Sequence, residues 1–396
     1  MSAILGIACI IAPVETTLII MKLALRLLLV LSCFLTVAHA YPTDPLLAAK
    51  HYALYDSTSQ QMLIEHDANT RTAPGSLTKL MTAYVVFDAL KQNKISLRQS
   101  LAPTAYALRL QSEEPRMFLE VGKGVKVEEL LRGLIVQSAN DAARVLTEAI
   151  ANHEVAFADL MNKQAQRLGM RNTHFANATG VPEQLHYSSA HDIALLAAAL
   201  LRDFPDFYAL YALREYKYNS INQFNRNRLL WLDPYVDGMQ TAHDKAVGFS
   251  LVASSKRDGR RLISVVLGTE KENLRSSESQ RLLNLGFKEF ESVILYRKDQ
   301  PVSELRLWKG TEHQVAVGFR DDRYITVPLG ERDLLSAKLE TKQPLIAPAN
   351  AGQNIGTLHL LLNGEPYLDL PVVVLESVPL ANVFSRGVDA IRLFFE

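Results

Sequence analysis

Pro74-Gly75-Ser76-Leu77-Thr78-Lys79-Leu80-Met81-Thr82 is the stretch from which the rest of the chain can be read. Pro-Gly breaks regular structure. After it, Leu77, Leu80, Met81 and Tyr84 recur at helical spacing and are followed by Val85, Phe87 and Leu90. Ser76 is therefore expected to open a buried amphipathic helix, with Lys79 one turn further along the same face. A helix start carries the positive end of the dipole, which disfavours a cation. Burial among the apolar neighbours disfavours it again. Both effects push Lys79 toward the neutral amine that a general base needs, and such an amine beside a hydroxyl makes a nucleophile. The bland alternative is a serine that only caps a helix, beside a lysine that snorkels to solvent. A Ser-x-x-Lys spacing alone does not choose between them.

The totals narrow the class. A chain of 396 residues has room for two domains or more. Its 42 basic residues balance 42 acidic ones, so the basic excess of a nucleic-acid binder is missing and no such partner is expected. Residues 1–40 read as a leader. Within it, 21–40 has the three parts of a signal peptide in order: basic Met21 to Arg26, apolar Leu27 to Val37, and the small-x-small site Ala38-His39-Ala40. Cleavage after Ala40 would leave a mature chain starting at Tyr41. A single membrane anchor from Ile4 to Val37 is the alternative, but Glu15, Lys22 and Arg26 interrupt it. A lipoprotein anchored at Cys33 would need a better signal than Val30-Leu31-Ser32-Cys33. Both cysteines, Cys9 and Cys33, lie in the leader, so the mature chain would have neither disulfides nor thiol chemistry.

Along the mature chain, 51–56 and 61–66 read as two short strands ahead of the Ser76 helix. Helical patterns follow at 126–134, 142–153, 154–168 and 188–202. Strands return at 248–255 and 261–268 around an Asp258-Gly259 hairpin tip, and a helix at 272–291 closes the region. Strands at both ends with helices between suggest an α/β (α+β) unit over an antiparallel sheet, spanning 41–290. Short apolar runs separated by turns then predict a small all-β sandwich over 291–377. The final segment, 378–396, places Leu380, Val383, Phe384, Val388, Ile391, Leu393, Phe394 and Phe395 mostly opposite Arg386, Asp389 and Arg392. This is the pattern of a helix lying in a membrane interface. The alternative is a last helix packed on the body of the protein.

Two further stretches bear on the chemistry. Ser138 and Asn140 in Val136-Gln137-Ser138-Ala139-Asn140-Asp141 lie two apart, so an extended loop would point a hydroxyl and an amide the same way, beside Ser76. Otherwise Asn140 or Asp141 caps the next helix. His186 and His191 are spaced unlike a helical ligand pair and read as structural.

Together, Ser76-Leu-Thr-Lys79, Ser138-Ala-Asn140 and Val236-Asp237-Gly238-Met239-Gln240-Thr241-Ala242-His243 resemble the three-motif pattern described for the D-alanyl-D-alanine carboxypeptidases, the low-molecular-mass penicillin-binding proteins of peptidase family S11. Thr173 to Asn177, Tyr187 to Ala190, Asn225-Arg226-Asn227 with Leu230-Trp231, and Gly248 to Ser254 extend the likeness over essentially all of 41–396. The resemblance implies a β-lactamase-like catalytic domain and a serine acyl-transfer site. Ser76 would attack the bond between the two D-alanines of a peptidoglycan stem peptide, with Lys79 as base and Ser138 as proton relay. Asn140, Gln240, Thr241 and His243 would bind substrate, with the backbone N–H groups of Ser76 and His243 as oxyanion hole. β-Lactam antibiotics would acylate the same serine, and no metal or cofactor would be required. The location implied is the periplasmic face of a bacterial inner membrane, held peripherally by the terminal helix.

One departure is conspicuous. The family's third motif is Lys-Thr-Gly, and here it is Gln240-Thr241-Ala242. A charge-assisted hydrogen bond to the substrate carboxylate contributes about 1.5–3 kcal/mol against about 1 for a neutral one. His243 and Lys245 are the nearby groups that could restore the charge, although alternation sets Gln240 and Lys245 on opposite faces of an ideal strand. Besides a working carboxypeptidase, the change leaves open an impaired homologue that binds peptidoglycan, and an enzyme of shifted specificity such as an endopeptidase or slow β-lactamase. For a β-lactamase, Glu183 is a deacylating candidate by position only.

Overall fold

The strands expected ahead of Ser76 form as β1 (His51–Asp56) and β2 (Gln61–His66) in the computed structural model, which describes residues 45–395. The leader and its cleavage site lie outside the described residues. Next comes a 3-10 turn, Gly75–Leu77, and then the α-helix proper, α1 (Thr78–Lys91). This helix is not amphipathic as expected. Every residue from Thr78 to Phe87 is buried, because α1 runs among α2 (Asn140–Ala151), α3 (Glu154–Arg167) and α4 (Ala190–Asp203). A helix covered on all sides needs no polar face, and its own polar residues, Thr78, Lys79 and Thr82, must find partners inside. Leu80, Met81 and Phe87 pack with Leu134, Leu146, Phe157 and Leu196. Each such burial stabilises the fold by about 1.5–3 kcal/mol.

The sheet behind these helices is antiparallel throughout. It is completed by β3 (Val236–Asp244), β4 (Gly248–Arg257) and β5 (Arg260–Thr269), in the order β2-β1-β5-β4-β3. Asp258 and Gly259 at the β4–β5 tip both have positive φ, as a tight type I′ turn demands. The opposite face of the sheet is covered by α5 (Glu272–Glu289), where Leu282 and Leu283 meet Leu54, Leu251 and Leu262. The consequence for function is that β3, which carries Gln240-Thr241-Ala242, is an edge strand. One side of it pairs with β4 and the other faces the start of α1.

From Phe290 onward the chain is all β up to the last helix. A six-stranded sheet and the antiparallel pair Phe290–Tyr296 with Arg323–Pro328 enclose Val315, Val317, Phe319, Ile325, Leu358, Leu360, Val372 and Val374. One carboxylate fastens this part to the catalytic sheet. Asp56, fully buried at the end of β1, accepts from Arg260 Nε at 2.7 Å, Ser292 Oγ at 2.8 Å and Thr326 Oγ1 at 2.8 Å. Gln61 exchanges two further bonds with the Thr326 backbone. Removing one partner of such a buried ion pair typically destabilises by about 3–5 kcal/mol.

The last helix, α6 (Val383–Phe394), is begun by Asn382, whose side chain accepts from Ser385 N. Asp389 is buried against the β region and accepts from Lys309 N at 2.8 Å. Phe384, Ile391, Phe394 and Phe395 stay exposed on the outer side. The polar edge of this segment therefore packs on the body, and its apolar face stays uncovered. Among the described residues no helix is long and apolar enough to cross a membrane.

Candidate active site

Ser76 lies where two cavities meet. The first, about 460 Å³, is lined by Ser76, Glu114, Asn140, Thr179, Gly180 and His243 among others. The second, about 280 Å³, is lined by Ser76, Ser138, Arg226, Thr241, His243 and Arg275 among others. Gly75 holds φ of +51°, which turns the chain so that Ser76 enters α1 from the sheet side. Gly180 approaches this turn closely: a Cβ there would stand 1.8 Å from Gly75 O, so only glycine fits.

Lys79 is 1% exposed. Its Nζ stands 3.1 Å from Ser76 Oγ and donates to Thr179 O at 2.7 Å. Its pKa falls from 10.5 to about 7. Burial is the main cause, with Arg226 and Arg144 lowering it further and Glu114 and Asp141 opposing them. At neutral pH a large share of the amine is free to take the serine proton. The expectation of a neutral lysine beside Ser76 thus has a geometry that supports it.

Ser138 is not in an extended loop. It follows a π-type turn, Gly133–Gln137, with φ of 59° and ψ of 36°, a left-handed conformation that costs a non-glycine residue about 1–3 kcal/mol. Ala139 is extended and Asn140 is already the first residue of α2. The two side chains consequently line different cavities, with Ser76 shared between them. Ser138 Oγ is buried and makes no hydrogen bond among the described residues, so it is available to a bound substrate. Asn140 does not cap α2 by its side chain, whereas Asp141 Oδ1 accepts from Ala142 N in the first turn at 2.9 Å. Asn140 Nδ2 donates to Glu114 Oε2 at 2.6 Å, and Asp141 accepts from the backbone of Met117 and Leu119.

Thr241 lines the second cavity with its neighbour Ala242. Gln240 is 4% exposed, lines neither cavity and makes no side-chain hydrogen bond among the described residues. Gln240 and Thr241 point oppositely because adjacent strand residues do. The Ala242 methyl, absent from the family's glycine, faces the α1 entry: a Cβ built on Gly75 would meet it at 3.4 Å. His243 is exposed and stacks on Phe249 at 4.2 Å.

The charge that Gln240 lacks does not come from Lys245, which pairs with Glu113 at 3.2 Å on the rim. Two arginines with no assigned role in the sequence reading line the second cavity instead. The Arg226 guanidinium has no hydrogen bond or ion pair among the described residues. Arg275, 3% exposed on α5, donates to Glu272 at 2.7 Å and reaches Ala242 O and Arg226 O at 3.4 Å. Its Nε has no partner. The two guanidiniums line this cavity together with Ser138, Thr241 and two carboxylates, Glu113 and Glu272, and with Arg275 paired to Glu272 the Arg226 guanidinium is the unpaired cation of the lining among the described residues.

The histidines are structural in geometry. His186 is buried, bonds Thr78 Oγ1 at 2.8 Å, and is pushed down to about 4 by burial, which keeps it neutral. His191 pairs with Glu65. Glu183 accepts from Asn177 Nδ2 and lines neither cavity.

The D-alanyl-D-alanine carboxypeptidase family matches residues 38–271, and the C-terminal domain of penicillin-binding protein 5 matches 290–380. The chain is 36% identical to D-alanyl-D-alanine carboxypeptidase DacA of Escherichia coli K12 over 378 residues, 92% of this chain and 94% of that one. It is 38% identical to DacC of the same organism over 360 residues, 89% of each chain. The crystal structure of penicillin-binding protein 5 from Haemophilus influenzae superposes with a TM-score of 0.81 at 37% identity, covering 85% of this chain and 99% of that one. The buried lysine beside a serine at the junction of two cavities is thus found in a chain that belongs to the D-alanyl-D-alanine carboxypeptidase family of serine hydrolases.

Proposed function

We propose that this chain removes the terminal D-alanine from peptidoglycan stem peptides through an acyl-enzyme on Ser76. The observation that carries the reading is the buried Lys79 amine 3.1 Å from Ser76 Oγ, with a pKa of about 7. Lys79 takes the hydroxyl proton as Oγ attacks the peptide carbonyl. The backbone N–H groups of Ser76 and His243 receive the oxyanion. The substrate's terminal carboxylate lies toward Arg226 and Arg275, and Thr241 helps to seat it. Ser138 passes the proton to the departing D-alanine amine. Asn140 holds the acyl-side amide. Gln240 supports β3 from within rather than touching substrate. Water then cleaves the ester and frees Ser76. A β-lactam follows the same first step and stays longer on the serine.

The intact Ser76, Lys79, Ser138 and Asn140 set favours an enzyme over a binding homologue. Product analysis on a D-Ala-D-Ala peptide, a cross-linked dimer and penicillin tests the reading. Release of D-alanine at the highest kcat/KM supports it. Faster cleavage of the dimer, or of penicillin, would replace it with an endopeptidase or a β-lactamase.

Gln240→Lys is expected to change acylation by penicillin by less than about threefold, because the side chain at 240 lines neither cavity and the guanidiniums already supply the charge. Stopped-flow acylation rates check this. A hundredfold rise would mean that Arg226 and Arg275 do not serve the carboxylate.

The exposed apolar face of α6 supports attachment to a membrane surface, with the polar edge held to the body through Asp389. On this reading the exported enzyme works at the outer face of the cytoplasmic membrane. Deleting 378–396 is expected to move the protein from the membrane pellet to the supernatant with D-alanine release unchanged. If the truncated chain still sediments with membranes, the anchor lies elsewhere.

A further inference from the structure

Glu114 belongs to none of the three motifs, yet it forms part of the wall of the cavity that holds Ser76. Its side chain is only 13% exposed. Oε2 accepts from Asn140 Nδ2 at 2.6 Å and stands 3.5 Å from Arg144 Nη2. Arg144 lies one turn beyond Asn140 on α2, which brings the guanidinium and the amide to one face. The backbone ties the same segment down. Asn140 N donates to Pro115 O at 2.7 Å, and Asp141 accepts from Met117 N at 3.0 Å and Leu119 N at 3.2 Å. Glu114 is therefore a fixed anion beside the substrate amide site. Its neighbour Glu113 lines the same cavity, but at its rim, where it is 77% exposed and pairs with Lys245 in solvent.

Lys79 has two direct partners, Ser76 Oγ and Thr179 O, and neither is charged. Four charged groups act on it from around the site: Glu114 and Asp141 favour the ammonium, while Arg226 and Arg144 oppose it. His186, on its other side, is held neutral by burial. Asp141 has its oxygens committed to backbone N–H groups. Glu114 is the strongest of the charges acting on the amine. Fixed charges in a poorly solvated site act more strongly than they would in water.

We propose that Glu114 is a positioning residue of the acylation step: it holds the Asn140 amide in place and opposes loss of the proton from Lys79. It thereby sets the pH at which the serine becomes reactive. This inference rests on the role given above to Lys79. It adds that the working pH range of this enzyme is fixed by a residue outside its motifs.

The sign follows from the charge. A carboxylate stabilises the Lys79 ammonium. Without it the free amine appears at lower pH, and the acid limb of the acylation profile moves down. A fixed anion facing a buried cation across a poorly solvated cleft shifts its titration by about one unit.

The test is the pH dependence of the second-order acylation rate with benzylpenicillin, for wild type, Glu114→Gln and Glu113→Gln. Glutamine keeps the shape of Glu114 and an oxygen to accept from Asn140, so only the charge is lost. Melting curves check that each variant folds. The Glu114→Gln limb is expected to move down by about one pH unit, so that one unit below the wild-type midpoint its rate, relative to its own plateau, is about fivefold higher. The Glu113→Gln limb is expected to stay in place, since that charge is screened by solvent. A Glu114→Gln limb that stays put, or moves up, overturns the proposal, even if the plateau falls. An equal shift in both variants also overturns it, because the effect would then belong to the cleft as a whole. Absence of acylation in the folded wild type would instead sink the proposed function, so the two failures are distinct.

Discussion

Ser76→Ala is expected to abolish covalent labelling by penicillin and to lower D-alanine release by at least about 10⁴-fold, since Ser76 is the hydroxyl of the two cavities that the Lys79 amine contacts, and Ser138 Oγ has no such base. The fold should survive. Ser76 is only partly buried, and its hydroxyl bonds Lys79 alone, so the loss is about 1 kcal/mol. Lys79 keeps its bond to Thr179 O in the variant. Three readouts are needed together: intact mass after incubation with penicillin, released D-alanine, and a melting temperature within a few degrees of wild type. Residual labelling in a folded Ser76→Ala protein would place the nucleophile elsewhere.

Lys79→Met removes the proton acceptor and keeps the volume of the side chain. Loss of a general base costs about 10²–10⁴ in rate, and acylation should fall by that factor. Stability should change the other way. Lys79 titrates at about 7 in the fold against 10.5 as an ordinary lysine, so the unfolded chain binds the extra proton between these values. Stability of the wild type therefore rises with pH across this window. At pH 7 and below, the buried amine disfavours folding by an amount on the order of a few kcal/mol. Lys79→Met should be more stable near neutral pH, and its stability should lack the rise between about pH 7 and 10.5. Denaturant midpoints at pH 7 and pH 10 measure this directly. A variant less stable at pH 7 would mean that Lys79 is a structural link between α1 and Thr179 rather than a strained base. The trade of stability for reactivity is common at catalytic sites.

Local patterns made much of this site legible. The i,i+3 spacing of Ser76 and Lys79 on an apolar helix placed the two groups together and gave the sign of the lysine's titration. The hairpin around Asp258-Gly259 and the apolar runs beyond 290 gave the antiparallel sheet and the β region. What failed was conformation at single residues and contacts between distant ones. Ser138 was expected in an extended loop and is left-handed, because the π-type turn before it reverses the chain within one residue. Short-range periodicity carries no such information. The compensating charge was sought near Gln240 in sequence, at His243 and Lys245. The cations that line the cavity are instead Arg226, two strands' length upstream, and Arg275, which α5 brings across the end of β3. Glu114 sits in a stretch without periodicity, and only the fold shows that it faces Asn140 and Ser76. The apolar face of α6 was legible from its spacing. Its attachment through Asp389 was not, since a buried aspartate on a surface helix looks like any solvated one.

The most direct measurement is mass spectrometry of the mature protein after incubation with penicillin, with peptide mapping of the adduct and a D-alanine release assay alongside. A covalent adduct on Ser76 together with released D-alanine is the predicted result, and it would mean that Gln240-Thr241-Ala242 tunes a working carboxypeptidase. Neither signal in a demonstrably folded protein would contradict the account and leave a chain that binds the cell wall without cutting it.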